Sequence, residues 1–228
     1  MLVLPGGGYR ILAEHEGVDV ARKCNEAGFH AAVLKYSLSP DHRHPQMIHD
    51  AQRAARLLRV HALDWGLDAA KLAVLGFSAG GHLASTLTVH PETFRCDADD
   101  LAPHVSAKVD AAVLCYCVID IVDPINAHTG SRNNLVGPDV DQATLELLST
   151  NRHVSPHTPP TFLWHTRDDA TVPVGNALRF AEACHAHGVP YELHVYESGR
   201  HGLGLATELT PVDSWFGLAM HFVRRHLG

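Results

Sequence analysis

The sequence predicts an α/β protein with a mostly parallel central sheet flanked by helices on both faces. Short apolar runs bounded by Gly, Pro or Asp alternate along the 228 residues with longer segments of helical period, which is typical of βα units. Apolar residues make up 46% of the chain and charged residues 19%, as in an ordinary globular domain. We therefore expect residues 1–228 to form a single domain.

Six strands are predicted, because six runs are rich in Val, Leu or aromatic residues. They span residues 2–4, 31–36, 71–75, 110–116, 161–165 and 191–196. Helices are predicted at 45–61, 79–89, 174–187 and 212–227, where apolar side chains recur on one stripe. Residues 119–160 contain no clear strand and one short helix near 143–148. This excursion is too long for a simple connection and is expected to form a lid or pocket wall.

Charge and apolar run length exclude two classes of partner. Lys and Arg number 18 against 25 Asp and Glu, a formal net charge of −7, and no basic run is present to neutralise a nucleic-acid backbone. The apolar runs fall short of the roughly 18 residues that a membrane span requires. Neither nucleic acid nor a membrane is therefore expected as a partner.

Cysteine and histidine spacing predicts neither disulfides nor a metal site. The odd number of cysteines has no framework-like spacing; they are Cys24, Cys96, Cys115, Cys117 and Cys184. His42, His44 and His49 lack a carboxylate or cysteine that would complete a metal-ligand pattern, so surface histidines are favoured. Residues 1–5 also lack the basic segment of a signal peptide, and a reducing, cytoplasmic location is expected.

The central motif is Gly76-Phe77-Ser78-Ala79-Gly80, which stands between a predicted strand and a predicted helix. A G-x-S-x-G in that context forms a strained turn that lifts the serine hydroxyl above the edge of the sheet. Composition alone gives roughly 0.06 chance matches to this motif. Ser78 is therefore the candidate nucleophile, the alternative being a glycine-rich turn with an incidental serine.

A serine nucleophile needs a general base and a third group that orients this base. Asp168 and Asp169 follow the fifth predicted strand, and His201 follows the sixth. The chain order Ser, Asp, His is the one expected for this sheet topology. Position after the last strand selects His201 from the 19 histidines, whereas the residues alone leave both carboxylates open.

A triple glycine at residues 6–8 follows the first predicted strand and can bring backbone amides close to a ligand. The Gly7 and Gly8 amides, together with the Ala79 amide at a helix N-terminus, are the predicted donors to an oxyanion. A phosphate-binding loop is the rival interpretation. It is disfavoured because G-x-x-x-x-G-K-[ST] is absent and Ile11 stands where G-x-G-x-x-G needs its last glycine.

Four neighbouring residues have alternative interpretations. Tyr9 either contacts substrate beside the glycine loop or anchors packing. His82, one turn into the helix after Ser78, is expected to pack and form hydrogen bonds under the site rather than to transfer protons. Trp164 and His165 are expected to line the core.

The chain resembles a known family through a set of motifs. These are Pro5-Gly-Gly-Gly-Tyr9, Leu34-Lys-Tyr36 with Pro45 and Asp50, Gly76-Phe-Ser-Ala-Gly-Gly-His-Leu-Ala84, Pro159-Pro-Thr-Phe-Leu-Trp-His165 with Asp169 and Val172-Pro173, and His201-Gly-Leu-Gly-Leu205. They are similar, over nearly the whole chain, to α/β-hydrolase acetylesterases of the carbohydrate acetyl esterase/lipase group. The resemblance implies an α/β-hydrolase fold with Ser78 as nucleophile and His201 as general base and then acid. It implies Asp169 as the orienting carboxylate, because the family's acid lies four residues after the strand-end histidine, and leaves Asp168 as a solvated neighbour.

The resemblance further implies hydrolysis of short acyl esters, commonly acetyl groups on sugars or xylan fragments, without metal or organic cofactor. Relatives usually carry one or two strands before the Pro-Gly-Gly-Gly-Tyr strand, so N-terminal strands are expected to be missing. A truncated product, or a shorter sheet whose edge a second subunit covers, would account for this, and a homo-oligomer stays open. The alternatives are a prolyl-oligopeptidase-like peptidase, which lacks room here for an accessory domain, and an inactive α/β-hydrolase-fold binding protein.

Overall fold

The computed structural model of the chain describes residues 1–95 and 104–228. Within these ranges, six parallel strands form one sheet in the order β2-β1-β3-β4-β5-β6. The strands are β1 (Leu2–Leu4), β2 (Ala32–Val33), β3 (Ala73–Phe77), β4 (Ala111–Cys115), β5 (Thr161–Thr166) and β6 (Tyr191–Tyr196). Parallel neighbours require crossover connections, and helices supply them.

Helices cover both faces of this sheet. They are α1 (Val18–Glu26), α2 (Gln46–Val60), α3 (Ser78–Val89), α4 (Thr129–Val136), α5 (Gln142–Leu148), α6 (Gly175–Ala186) and α7 (Trp215–Leu227). One apolar cluster joins the sheet to α2, α3 and α6 through side chains such as Met47, Leu83 and Phe180. A second cluster joins the opposite face to α1 and α7 through Val20 and Trp215. The predicted layered α/β architecture is confirmed.

The second strand is shorter than the sequence predicts. Strand pairing was expected over residues 31–36, but only Ala32–Val33 pairs with β1. Beyond it, the buried Tyr36 donates its hydroxyl hydrogen to the Pro5 carbonyl at 2.6 Å. After Val33 the chain leaves the sheet, and the partly buried Leu34 and Leu38 pack against the core without extending the ladder.

Residues 119–160 contain α4, α5 and a 3₁₀ turn, Thr150–His153, and no strand, as predicted. The helix α4 was not predicted, because its polar sequence TGSRNNLV offers no apolar stripe. The start of the segment is fixed to α6 by Asn176, whose Oδ1 accepts hydrogen bonds from the Ile119 and Asp120 amides at 2.8 and 3.1 Å. The segment is thus tied to the body of the domain.

Four cysteines, Cys24, Cys115, Cys117 and Cys184, are buried free thiols, and Cys96 lies outside the described residues. Burial raises the pKa of Cys117 and of Cys184 to about 12. In the part of the chain that the structure describes, no helix combines the length and the apolar character needed to traverse a bilayer. Cytoplasmic location stays a prediction.

Candidate active site

Ser78 occupies a tight turn between β3 and α3. Its backbone has φ 51°, in the left-handed region that costs free energy for a residue with a side chain. A Cβ added to Gly76 would lie 2.3 Å from the Gly80 carbonyl oxygen, and one added to Gly80 would lie 2.2 Å from the Leu4 carbonyl oxygen. The glycines of the motif are therefore required by close backbone packing, and the predicted strand-to-helix turn is confirmed.

The loops after β5 and β6 bring Asp169 and His201 to Ser78. The His201 Nε2 atom lies 2.8 Å from Ser78 Oγ, and its Nδ1 atom lies 2.7 Å from Asp169 Oδ2. A carboxylate only accepts, so Nδ1 carries the hydrogen and Nε2 is left to accept from the serine hydroxyl. The structure thus unites the three residues in the geometry of an acyl-transfer triad.

Asp169 is held as a carboxylate by its neighbours. Its Oδ1 atom accepts hydrogen bonds from the Thr171 and Val172 amides at 2.9 and 3.0 Å, while His165 Nε2 lies 3.4 Å from Oδ2. Burial alone would raise the pKa of this carboxyl, but the bonds from His165, His201 and Val172 outweigh burial and hold the pKa well below its usual range. Asp169 is therefore ionised at neutral pH and can stabilise a protonated imidazole.

Asp168 is exposed, as expected of a solvated neighbour, yet it also has structural partners. It accepts hydrogen bonds from Ser198 Oγ at 2.6 Å and from the Gly199 amide at 2.8 Å. The bond from Ser198 has the larger effect and that from Gly199 the smaller, and both lower the pKa of the Asp168 carboxyl. Asp168 thus fastens the loop that carries His201 and does not contact the imidazole.

The glycine loop after β1 lies against the nucleophile. A Cβ added to Gly6 would come 3.0 Å from Ser78 Cβ, and Gly7 and Gly8 have φ of 125° and 64°. No hydrogen bond between described residues uses the amides of Gly7, Gly8 or Ala79. These amides are accordingly available to a ligand oxygen, and their role as oxyanion donors stays a prediction.

Tyr9 is buried against His82. Its side chain is 1% exposed, and its hydroxyl donates to His82 Nδ1 at 2.7 Å. His82 Nε2 donates to the Leu148 carbonyl at 2.8 Å, which fixes this tautomer, and burial lowers the pKa of His82 to about 4. The buried neutral imidazole of His82 takes the Tyr9 hydroxyl, which favours the packing interpretation of Tyr9. Its substrate contact stays a prediction, whereas the packing role predicted for His82 is confirmed.

Two of the histidines considered as metal ligands, His42 and His44, lie in different environments. His42 is exposed, whereas His44 packs edge-on against Phe94 with ring centroids 4.7 Å apart. Burial, followed by the influence of His82, lowers the pKa of His44 to about 4. His44 is half-buried, so it is less exposed than His42. Among described residues, no three His, Cys, Asp or Glu side chains are grouped to hold a metal ion.

The sequence model of the BD-FAE family matches residues 1–184, most of the chain. The chain belongs to the BD-FAE family. BD-FAE proteins are α/β-hydrolase esterases, so the resemblance drawn from the motifs is confirmed.

Solved structures and curated sequences agree with membership of the BD-FAE family. The acetyl ester-xyloside bifunctional hydrolase of Caldicellulosiruptor lactoaceticus matches 98% of this chain and 81% of its own, with 44% identity and a TM-score of 0.93. A Lactobacillus plantarum carboxylesterase matches 99% and 84%, with 27% identity and a TM-score of 0.85. The acetylxylan esterase of Xylanibacter ruminicola is 30% identical over 90% of this chain. The endo-1,4-beta-xylanase B of Butyrivibrio fibrisolvens is 34% identical over 91%. This chain spans only 41% and 33% of the lengths of these two curated relatives.

In this BD-FAE chain, α4 forms one wall beside the glycine loop. Asn134 Nδ2 donates to the Gly8 carbonyl at 2.8 Å, and a Cβ on Gly8 would lie 3.8 Å from Ser131 Oγ. His128 precedes α4, and its Nδ1 atom lies 2.8 Å from Ser131 Oγ. Burial, followed by the influence of His201, lowers the pKa of His128. Sequence reasoning located this wall only as part of residues 119–160, because no motif marks its polar side chains.

Proposed function

We propose that this chain is a serine esterase that hydrolyses short-chain acyl esters, acetyl esters of sugars or xylan fragments among them. One observation carries the proposal: Ser78 Oγ lies 2.8 Å from His201 Nε2, and His201 Nδ1 lies 2.7 Å from the ionised Asp169. The named acetylxylan esterase and acetyl ester-xyloside hydrolase among its relatives support the acetyl class. No metal or cofactor is required for this chemistry.

The reaction follows from the directions of these hydrogen bonds. His201 Nε2 takes the proton of Ser78 as its Oγ atom attacks the ester carbonyl carbon, while Asp169 holds the imidazole tautomer and stabilises the imidazolium. The Gly7 and Gly8 amides, with that of Ala79, donate to the oxygen that becomes negative. His201 then protonates the departing alcohol, leaving an acyl-serine.

Water repeats the sequence on the acyl-serine. His201 Nε2 removes a proton from the water as its oxygen attacks the acyl carbon, and then returns a proton to Ser78 Oγ as the carboxylic acid leaves. Beside the glycine loop, the half-buried His128 and Asn134 carry imidazole and amide groups that suit a polyhydroxylated alcohol such as a sugar.

Turnover of p-nitrophenyl acetate, butyrate and octanoate by the purified protein tests this proposal, with Ser78→Ala prepared in parallel. We expect the rate to fall steeply as the acyl chain lengthens and to vanish in Ser78→Ala. Acetylated xylo-oligosaccharides then test the sugar substrates. A rate that survives in Ser78→Ala would refute Ser78 as the nucleophile. A folded wild type without turnover of any ester would refute the proposal and favour an inactive binding protein.

A further inference from the structure

A buried carboxylate outside the triad connects two loops of the active site. Glu16 ends the 3₁₀ turn Glu14–Glu16 that follows the glycine loop, and its side chain is only 2% exposed. Its Oε2 atom accepts a hydrogen bond from the Gly6 amide at 2.7 Å, and its Oε1 atom accepts one from the Tyr116 hydroxyl at 2.6 Å. A buried carboxylate with both oxygens satisfied by donors is one that the fold holds in place.

Tyr116 carries this connection to the loop of the general base. The Gly204 amide donates to the Tyr116 hydroxyl at 2.8 Å, so the phenol hydrogen must point to Glu16. Burial, followed by the charge of Glu16, raises the pKa of Tyr116 well above its usual value, and the hydroxyl stays protonated. Its ring also meets the His201 imidazole edge-on, with centroids 5.1 Å apart.

The same 3₁₀ turn contacts the His201 loop a second time. His15 Nε2 donates to the Gly202 carbonyl at 3.0 Å. Glu16 and His15 together therefore tie the backbone before β2 to residues on the carboxyl side of His201. Gly6 directly precedes Gly7 and Gly8, two of the three predicted oxyanion donors, so Glu16 links the loop that carries them to the loop of His201.

We infer that Glu16 is a positioning residue of the esterase: its carboxylate, bonded to the Gly6 amide and to Tyr116, fixes the glycine loop relative to His201. This inference rests on the proposed function. Glu16 does not touch the reacting atoms, so it acts through the loops it joins. Its removal should weaken stabilisation of the transition state more than binding of the ester, because misplacing a catalytic group by about 1 Å can cost roughly 100-fold in rate.

Glu16→Gln keeps the shape of the side chain but replaces one acceptor with a donor, so one of the two bonds is lost. We expect kcat for p-nitrophenyl acetate to fall about 10- to 100-fold, with KM within about threefold, by comparison with the loss of an oxyanion donor. Glu14→Gln is the matched control. Glu14 is exposed in the same turn, no described hydrogen bond uses its side chain, and its variant should keep wild-type kcat.

A transition-state analogue separates positioning from general loss of structure. With trifluoroacetone, Ser78 Oγ adds to the carbonyl carbon and the serine proton passes to His201. The resulting oxyanion accepts hydrogen bonds from the same amides as the transition state. Its inhibition constant should rise in Glu16→Gln by about the factor that kcat/KM falls. A fall in kcat/KM without weaker inhibition would overturn the positioning role.

Tyr116→Phe provides a second variant that retains the ring and deletes only the hydroxyl. It should lower kcat in the same direction, and the double variant should be no worse than Glu16→Gln alone, because both break one link. Wild-type kcat in Glu16→Gln, or losses that multiply in the double variant, would overturn the inference. If wild-type turnover does not depend on Ser78, the proposed function itself fails, and the Ser78→Ala control identifies that case separately.

Discussion

The adjacent carboxylates at 168 and 169 allow one substitution to be compared at two positions with opposite environments. Asp169→Asn introduces an amide beside His201 Nδ1, and the amide hydrogens compete with the Nδ1–H for the same space. The imidazole then prefers the tautomer with hydrogen on Nε2, which faces Ser78 Oγ at 2.8 Å and cannot accept its proton. Asp168→Asn keeps an acceptor oxygen for the Ser198 hydroxyl or the Gly199 amide and leaves the tautomer unchanged.

The expected losses of kcat in the two variants differ by orders of magnitude. The Asp169 carboxylate accepts bonds from two backbone amides at 2.9 and 3.0 Å, so the backbone holds the substituted side chain in place and the wrong tautomer persists. By analogy with serine hydrolases in which the triad carboxylate is replaced, kcat should fall about 10³- to 10⁴-fold, which corresponds to about 4–5.5 kcal/mol. For exposed Asp168, the loss of one bond should lower kcat less than about fivefold.

Initial rates with p-nitrophenyl acetate measure both variants, and circular dichroism with thermal melting confirms that each is folded. Comparable losses at Asp168 and Asp169 would refute the assignment of the orienting carboxylate. A small loss at Asp169 with a large one at Asp168 would reverse the two roles. The comparison is internal to one loop, so differences in expression or assay conditions affect both variants alike.

Three further predictions concern stability. Burial lowers the pKa of His82 and of His44 from 6.5 to about 4, so the unfolded chain binds more protons between these values, and stability should fall by several degrees in Tm as pH drops through this window. A flat Tm between pH 7 and pH 4.5 in differential scanning fluorimetry would contradict it. Gly217→Ala, on the exposed face of α7 where a Cβ meets nothing within 4 Å, should stabilise by about 0.5–1 kcal/mol. Gly80→Ala, with a Cβ 2.2 Å from the Leu4 carbonyl oxygen, should destabilise by about 3 kcal/mol in urea titrations.

The triad was accessible to sequence reasoning because Ser78 directly follows a strand and Asp169 and His201 lie in loops that follow strands. Carboxyl ends of parallel strands meet at one edge of the sheet, so Ser78 after β3, Asp169 after β5 and His201 after β6 converge without any knowledge of packing. Gly76 and Gly80 were also recognisable from the sequence, because close backbone packing at the turn leaves no room for a Cβ atom. Local motif and topology suffice where the functional groups lie at the ends of regular elements.

Three features depended on contacts that no local pattern records. β2 ends at Val33 although the apolar run continues, and beyond it the Tyr36 hydroxyl bonds to a backbone carbonyl 31 residues away. The packing interpretation of Tyr9 is favoured by a hydrogen bond to His82, 73 residues distant. Both interpretations of Tyr9 require an aromatic ring after a glycine turn, so the sequence could not separate them. The helix α4 forms with polar residues and a His128 cap, against the expectation from periodicity.

Glu16 shows why buried charge in this site is compatible with a folded domain. Two carboxylates flank His201: Asp169 contacts its Nδ1 atom directly, and Glu16 is linked to it through the Tyr116 ring. Each carboxylate would be costly to bury without partners. Asp169, however, accepts hydrogen bonds from two backbone amides, and Glu16 accepts one from a backbone amide and one from a phenol. Three of the donors that make burial tolerable, the amides of Gly6, Thr171 and Val172, belong to the backbone of the loops at the site. Satisfying these charges and fixing the loops are therefore one structural requirement, and an Asp or Glu here cannot be replaced by an apolar residue of similar size without releasing a loop.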